Sequence, residues 1–145
     1  MKTVAIIPAG GSGKRVGAPM AKQYLLLHAL PVLVRTLLVF QKVEAISDII
    51  VVVPGDDVLS VRKQVVEKYN LTKVAAVVAG GRQRQDSVAC GLRAVKLPCD
   101  IVMVHDAVRP FVTEDMIVRV LAAAARCGAA SLGVLAKDTV KEATE

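Results

Sequence analysis

Short apolar runs alternate with amphipathic segments along the whole chain. Four runs are continuous and rich in β-branched or small apolar residues, which predicts strands covered on both faces. They are Val4–Ile7, Ile49–Val53, Val74–Ala79 and Ile101–Val104. A fifth strand is predicted over Ser131–Leu135, before a polar tail.

Between these runs, apolar residues recur at the spacing of one helix face. The predicted helices are Pro31–Gln41, Val58–Tyr69, Val88–Val95, and a last helix that Thr113 caps and Gly128 ends. Gly91 lies inside the third helix, where glycine costs stability, so we interpret it as a site of close packing.

The alternation of strands and helices predicts an α/β fold, a Rossmann-like three-layer sandwich with a mostly parallel sheet and helices on both faces. We expect a single domain over residues 1–145. Ligands of such sheets bind beyond the carboxyl ends of the strands. Three polar features fall at this edge: the loop Pro8–Tyr24, the pair Gly80-Gly81, and His105-Asp106.

The loop Pro8–Tyr24 is rich in glycine and basic residues, a composition typical of phosphate binding by backbone N–H groups. Its spacing does not match a Walker A loop, because Arg15 stands where Ser or Thr is required. It does not match a dinucleotide fingerprint either, because Val16 replaces the third glycine. Both of these nucleotide-binding classes are therefore disfavoured.

Positive charge is concentrated around this loop. The formal net charge is +6, and the residues before Glu44 carry all of it, with six basic side chains and no acid. Such a local excess favours a small polyanionic ligand over a basic surface spread along the chain. We interpret Lys14, Arg15 and Lys22 as phosphate contacts and the other three as ordinary surface charges.

Composition disfavours several other classes of protein. No apolar run approaches the roughly 18 residues of a membrane-spanning helix, and no secretory signal is recognisable. The 3 cysteines and 2 histidines show no zinc-site spacing, so reduced thiols in a cytoplasmic protein are expected. The aromatic fraction of 3% provides no stacking platform for single-stranded nucleic acid, and no nucleic-acid partner is expected.

The remaining polar residues at the predicted edge allow two interpretations each. Asp106 suits Mg²⁺ beside a triphosphate, or it is a turn residue. The Gly80-Gly81 amides and Ser87 could contact a base edge, or Asp86 and Ser87 simply cap a helix. Arg109 could meet a phosphate or pair with a nearby acid.

Five motifs occur in the order found in one enzyme family. They are Pro8–Arg15, Lys22–Tyr24, Gly80–Val88 with Arg84 and Ser87, Val104–Pro110, and Asp138–Lys141. With these motifs the chain resembles the 2-C-methyl-D-erythritol 4-phosphate cytidylyltransferases over its entire length. The combination of Lys-Gln-Tyr with His-Asp-Ala-x-Arg-Pro is the most specific part of this resemblance.

The resemblance implies a nucleotidyltransferase-type fold and transfer of CMP from CTP to a polyol phosphate, with release of pyrophosphate, in isoprenoid biosynthesis. It implies that Arg15, Lys22 and Asp106 are catalytic and that Asp106 holds Mg²⁺. The implied CTP contacts are Pro8, Ala9, Gly10, Gly11, Ser12, Gly13, Gly81 and Ser87, with Gly81 and Ser87 at the cytosine. Arg109 and Thr139 would face the acceptor phosphate substrate.

The sequence departs from the family pattern at three points. Gly10 replaces a common Ala, and Ala21 replaces the Pro usual before Lys-Gln-Tyr, so a less rigid loop around Lys22 is expected. Family members continue past Glu145 into a dimerisation arm and a further substrate-contacting segment. The resemblance thus implies a C-terminally truncated chain, a homodimer when full length, and a fragment that binds CTP with Mg²⁺ but turns over poorly.

Two other functions remain open from the sequence. The first is a cytidylyltransferase for another polyol or sugar phosphate, such as ribitol 5-phosphate, because much of the acceptor half of the site is missing. The second is a nucleotide-binding module without catalysis of its own.

Overall fold

The computed structural model describes residues 1–11, 21–96 and 98–135. Its main sheet contains four parallel strands: β1 (Thr3–Pro8), β4 (Ile46–Val53), β5 (Val74–Ala79) and β6 (Ile101–Val104). A short antiparallel hairpin of β2 (Leu26–Leu27) and β3 (Leu30–Pro31) precedes the first helix. The sequence analysis did not predict this hairpin.

Four helices accompany the sheet. They are α1 (Val32–Lys42), α2 (Val58–Val61), which continues as a π-helix over Arg62–Glu67, α3 (Arg84–Arg93) and α4 (Glu114–Cys127). The Thr113 side chain caps α4, and Gly128 ends it in the left-handed region at φ 82°, as the sequence predicts. Among the described helices, none has the length and apolar character needed to cross a membrane.

The helices cover both faces of the sheet, as expected for a three-layer α/β fold. Apolar residues of α1, α2 and α4 pack on one face around Phe40, and α3 packs on the other face around Ile6 and Val52. A Cβ on Gly91 would lie 2.5 Å from Cγ2 of Ile6, so the glycine permits close contact between α3 and the sheet. This confirms the interpretation of Gly91.

The strand order β5-β4-β1-β6 places β1 at the centre of the sheet. The chain moves outward from β1 to β4 and β5, and then returns to the opposite side of β1 to form β6. The switch point therefore lies between the carboxyl ends of β1 and β6, where ligands of such folds bind.

Most predicted elements are confirmed, with three corrections. α3 begins at Arg84, four residues before the predicted Val88, and ends at Arg93, before the predicted Val95. β4 begins at Ile46, three residues before the predicted start. The predicted strand over Ser131–Leu135 is wrong, because this described segment is exposed and forms no strand. A strand needs a neighbour for its backbone hydrogen bonds, and no described strand pairs with these residues.

Candidate active site

The loop after β1 begins with a firmly held peptide unit. Ala9 is 3% exposed; its N–H donates to the carbonyl oxygen of Val52 at 2.7 Å, and its own carbonyl accepts from Nε2 of Gln23 at 2.7 Å. Pro8 ends β1, and Gly10 and Gly11 follow at the surface. Since the Ala9 amide donates to Val52, it is not free to donate to an anion, which goes against the prediction for Ala9; Gly10 carries the next amide of the loop.

Several predicted site residues fall outside the described part of the chain. They are Ser12, Gly13, Lys14, Arg15 and Thr139. Their assignments stay predictions.

Lys22 opens a single 3-10 turn, Lys22–Tyr24, beside the loop after β1. Gln23 points inward and is 1% exposed, and the Tyr24 hydroxyl donates to Oδ2 of Asp57 at 2.7 Å. Burial, and then the hydrogen bond and charge of Asp57, raise the pKa of Tyr24. Ala21, with φ −60° and ψ 140°, adopts a conformation that proline also takes.

The start of α3 brings Gly80-Gly81 against its first turn. A Cβ on Gly81 would lie 2.3 Å from Cβ of Asp86, and one on Gly80 would lie 2.7 Å from Oγ of Ser87. Both glycines are therefore required by packing. Asp86 forms a capping box with Gln83, which confirms it as a capping residue.

Ser87 is 6% exposed, and its hydroxyl lies within hydrogen-bonding distance of two carbonyl oxygens. Its Oγ is 3.2 Å from the Gln83 carbonyl oxygen and 3.5 Å from that of Gly81. The hydroxyl therefore lies beneath the glycine pair, where it can support the Gly81 backbone.

The loop after β6 is hydrogen bonded to β1 on both sides of Asp106. The His105 amide donates to the Ile6 carbonyl and the Ala107 amide to the Pro8 carbonyl, each at 3.1 Å. The Ala107 carbonyl in turn accepts from Oγ1 of Thr36 at 2.8 Å. These bonds hold the Asp106 backbone at the carboxyl end of β1.

The Asp106 carboxylate lies between two guanidinium groups. Arg84 donates from Nε and Nη2 to Oδ1 at 3.0 and 2.8 Å, and Arg109 donates from Nε to Oδ2 at 3.0 Å. Burial alone would raise the pKa of Asp106, but the hydrogen bonds and charges of the two arginines outweigh it and hold the pKa below its usual value. The three side chains together carry one net positive charge.

His105 supports the same turn. Its Nε2 lies 3.1 Å from the Arg109 carbonyl oxygen, which can only accept, so this nitrogen carries the proton. The ring packs against Phe40 with centroids 5.1 Å apart. Burial lowers the pKa of His105, which favours the neutral ring.

The structure thus brings Ala9, Gly10, Lys22, Gly81 and Asp106 to the same edge of the sheet, on the loops that follow its strands. The sequence analysis gave no role to Arg84, Gln23 or Tyr24. Each lies inside a motif that was recognised, but only the structure shows their hydrogen-bond partners.

Asp106 is also the residue proposed to hold Mg²⁺. Among the described residues, no three His, Cys, Asp or Glu side chains converge to form a complete metal site. Mg²⁺ commonly binds through one or two carboxylates together with substrate phosphates, and the Asp106 carboxylate at the carboxyl end of β1 fits that pattern. Both Asp106 oxygens now accept from arginines, so metal binding would require one pair to rearrange.

Comparison with known proteins gives a consistent result. The family model for 2-C-methyl-D-erythritol 4-phosphate cytidylyltransferase matches residues 3–145. The enzyme of that name from Syntrophus aciditrophicus is 52% identical over 141 residues, which cover 97% of this chain and 60% of the relative. The enzyme from Geobacter metallireducens is 49% identical over 144 residues, which cover 97% of this chain and 62% of the relative.

Comparison with a solved structure points to the same family. The crystal structure of the Francisella tularensis 2-C-methyl-D-erythritol 4-phosphate cytidylyltransferase superposes with a TM-score of 0.71 at 28% identity, covering 100% of this chain and 63% of that one. The chain spans about 60% of the length of the curated relatives it matches. Its sequence and its fold place it in one group: the chain belongs to the 2-C-methyl-D-erythritol 4-phosphate cytidylyltransferase family.

Proposed function

We propose that this protein transfers CMP from CTP to 2-C-methyl-D-erythritol 4-phosphate and releases pyrophosphate, as a step of isoprenoid biosynthesis. One observation carries the proposal: in a chain of this family, Gly10, Lys22 and the Asp106 arginine pairs lie at the carboxyl edge of the sheet, on the loops that follow its strands. This edge combines positive charge with the Asp106 carboxylate, as a magnesium–triphosphate ligand requires.

The reaction is an in-line displacement at phosphorus. A phosphate oxygen of the acceptor attacks the α-phosphorus of CTP, an O–P bond forms, and the bond from the α-phosphorus to the bridging oxygen breaks as pyrophosphate leaves. Enzymes accelerate such transfers mainly by positioning and by fixed positive charge. Lys22 and Arg15 supply that charge at the five-coordinate α-phosphate, while the amides from Gly10 to Gly13 bind the triphosphate.

Asp106 and its two arginine partners have roles in ligand binding. Asp106 would hold Mg²⁺, which supplies further positive charge to the triphosphate when bound. Arg109, together with Thr139, faces the acceptor phosphate, and Arg84 would be free to bind a phosphate if Asp106 held the metal. Because both guanidinium groups are largely exposed, they can change partners at little cost in stability.

The base is held at the start of α3. The Gly81 backbone and Ser87 read cytosine, supported by the capping box that fixes this turn. The small Gly80-Gly81 pair keeps the backbone close to the first turn of the helix.

Location and assembly are part of the same proposal. The 3 cysteines, Cys90, Cys99 and Cys127, are free thiols, which supports a reducing cytoplasmic environment. The relatives named above are longer than this chain, and we propose that the full-length protein is a homodimer.

Nucleotide titration and pyrophosphate release test the proposal. We expect CTP with Mg²⁺ to bind more tightly than ATP, GTP or UTP, and any turnover to favour 2-C-methyl-D-erythritol 4-phosphate over ribitol 5-phosphate. Lys22→Ala should reduce turnover about 100-fold or more, because it removes charge aimed at the transition state. Lys42→Ala, which removes an exposed lysine at the end of α1, is the matched control. Preference for another nucleotide, or full activity in Lys22→Ala, would overturn the assignment.

A further inference from the structure

The two residues that follow Lys22 bond to different parts of the sheet. Gln23 donates through Nε2 to the Ala9 carbonyl at the exit of β1, at 2.7 Å. Tyr24 donates through its hydroxyl to Asp57, which ends the 3-10 turn Gly55–Asp57 directly after β4, also at 2.7 Å. The Lys22 turn is thus attached to the carboxyl ends of the two central strands.

The turn needs such attachment because its own hydrogen bonds are few. Its described backbone bonds run from the Tyr24 amide to the Ala21 carbonyl at 3.0 Å and from the Leu25 amide to the Lys22 carbonyl at 3.2 Å. An isolated 3-10 turn with two such bonds does not hold one conformation by itself. The Lys22 side chain is long and flexible, so where its ammonium can reach depends on where the turn is fixed.

Gln23 also determines the direction of a carbonyl group. A backbone carbonyl turned toward a phosphate would repel it, whereas N–H groups attract it. Because the Ala9 carbonyl accepts from a buried side chain, it is held away from the ligand, and the chain can present the following amides. Gln23 carries no charge, so it supports the loop without forming an ion pair with the Lys22 ammonium.

Among the described residues, the Lys22 ammonium has no carboxylate partner. Within the described ranges, none of the ion pairs includes Lys22, whereas Arg84 and Arg109 are both paired with Asp106. The side-chain bonds of Gln23, to the Ala9 carbonyl, and of Tyr24, to the Asp57 carboxylate, do not involve the Lys22 ammonium.

We propose that Gln23 and Tyr24 are positioning residues that place the Lys22 ammonium and the Gly10 amide side by side for a nucleotide phosphate. The Ala9–Gln23 bond links the phosphate loop to the lysine turn, and the Tyr24–Asp57 bond fixes that turn to the end of β4. The inference rests on the proposed function, which makes Lys22 a phosphate contact.

A double-mutant cycle on CTP affinity separates positioning from general stability. Gln23→Leu is measured alone and together with Lys22→Ala, by equilibrium titration of the chain with CTP and Mg²⁺ at a temperature where every variant is folded. We expect Gln23→Leu to weaken binding about tenfold when Lys22 is present and less than about twofold when it is absent. Tyr24→Phe should show the same pattern with a smaller loss.

Gln41→Leu is the matched control. Gln41 is also a hydrogen-bonded glutamine, donating to Thr72 and accepting from the Lys73 amide, but it lies on α1 away from the site edge. It should leave CTP affinity unchanged. An equal loss for Gln23→Leu in both Lys22 backgrounds would show a merely structural role and overturn the proposal.

Hydrogen exchange tests the attachment without any nucleotide. The Leu25 amide, which closes the turn, should exchange faster in Gln23→Leu than in the parent chain and at the parent rate in Gln41→Leu. Unchanged exchange would overturn the attachment. If exchange accelerates but Lys22→Ala leaves CTP affinity intact, the proposed role of Lys22 fails while the attachment stands.

Discussion

The two sides of the candidate site are held by different kinds of interaction. The lysine side consists of Ala9 and the turn Lys22–Tyr24, and its central hydrogen bond is buried between neutral groups. The arginine side consists of Arg84, Asp106 and Arg109, and its ion pairs face solvent, with the two arginine side chains 62% and 73% exposed.

This difference separates the groups that stabilise the fold from the groups that can change their hydrogen-bond partners. A buried acceptor that loses its donor has no water to replace it, whereas an exposed arginine that loses its carboxylate is solvated at once. The lysine side should therefore contribute to folding and stay fixed during binding. The arginine side should contribute little to folding and be free to change partners when phosphate and metal arrive.

The largest effect is expected from Gln23→Leu. The substitution leaves the buried Ala9 carbonyl without its donor and should lower the free energy of unfolding by about 1–3 kcal/mol. Urea denaturation measures this as a lower midpoint at unchanged slope. Gln85→Leu, at an exposed position of α3, is the control and should leave the midpoint nearly unchanged.

Tyr24→Phe comes next, with an expected loss of about 1 kcal/mol at neutral pH, because the hydroxyl that bonds Asp57 is removed. The pKa of Tyr24 is raised in the folded state, so this contribution is complete below the ordinary value of about 10 and is lost as pH rises through the raised value. The difference between the two proteins should shrink above about pH 10. A difference that stays constant through this range would contradict the bond.

Ala21→Pro should stabilise the lysine side. Proline can adopt the observed φ of −60°, and the substitution reduces the freedom of the unfolded chain, for a gain of about 0.4–1 kcal/mol. Thermal unfolding provides the measurement. A lower melting temperature would show that the turn requires a conformation that proline disfavours.

Arg84→Ala should have the smallest effect on stability, less than about 0.5 kcal/mol, because the pair is exposed. Its effect should fall on Asp106, whose pKa will rise toward the ordinary value when one guanidinium is lost. In the parent chain the lowered pKa of Asp106 contributes stability above about pH 4, and this contribution is lost as pH falls. Arg84→Ala should therefore lose less stability than the parent chain as pH falls.

Carboxyl NMR titration of Asp106 measures this pKa shift. Arg82→Ala removes the same charge from a nearby exposed position and is the control. An equal shift of the Asp106 pKa in both variants would mean that positive charge anywhere nearby lowers this pKa, rather than the specific pair with Arg84.

The sequence predicted the strands where the pattern was continuous. β5 and β6 have the predicted bounds because each is an unbroken apolar run closed by polar residues or glycine. The hairpin of β2 and β3 was missed because His28 and Ala29 take positive φ angles of 46° and 64°, which asparagine or glycine usually signals. The segment Ser131–Leu135 has strand composition, but composition does not supply a neighbouring strand.

The sequence predicted which edge of the sheet carries the candidate site. Strand periodicity placed Lys22 and Asp106 on loops at the carboxyl ends, and the structure agrees. The hydrogen-bond partners at the site depend on the directions of side chains, which the spacing of residues along the sequence does not reveal. Arg84 is 22 residues from Asp106, and Gln23 is 14 residues from Ala9, so only the folded chain reveals these contacts.

The central position of β1 has a mechanical consequence. Its last residues accept the His105 and Ala107 amides on one side, and Ala9 donates to Val52 of β4 on the other. Both sides of the site are thus bonded to the same four-residue stretch, Ile6–Ala9. Because both sides are bonded to the end of this one central strand, a shift of β1 should move Lys22 and Asp106 in the same direction.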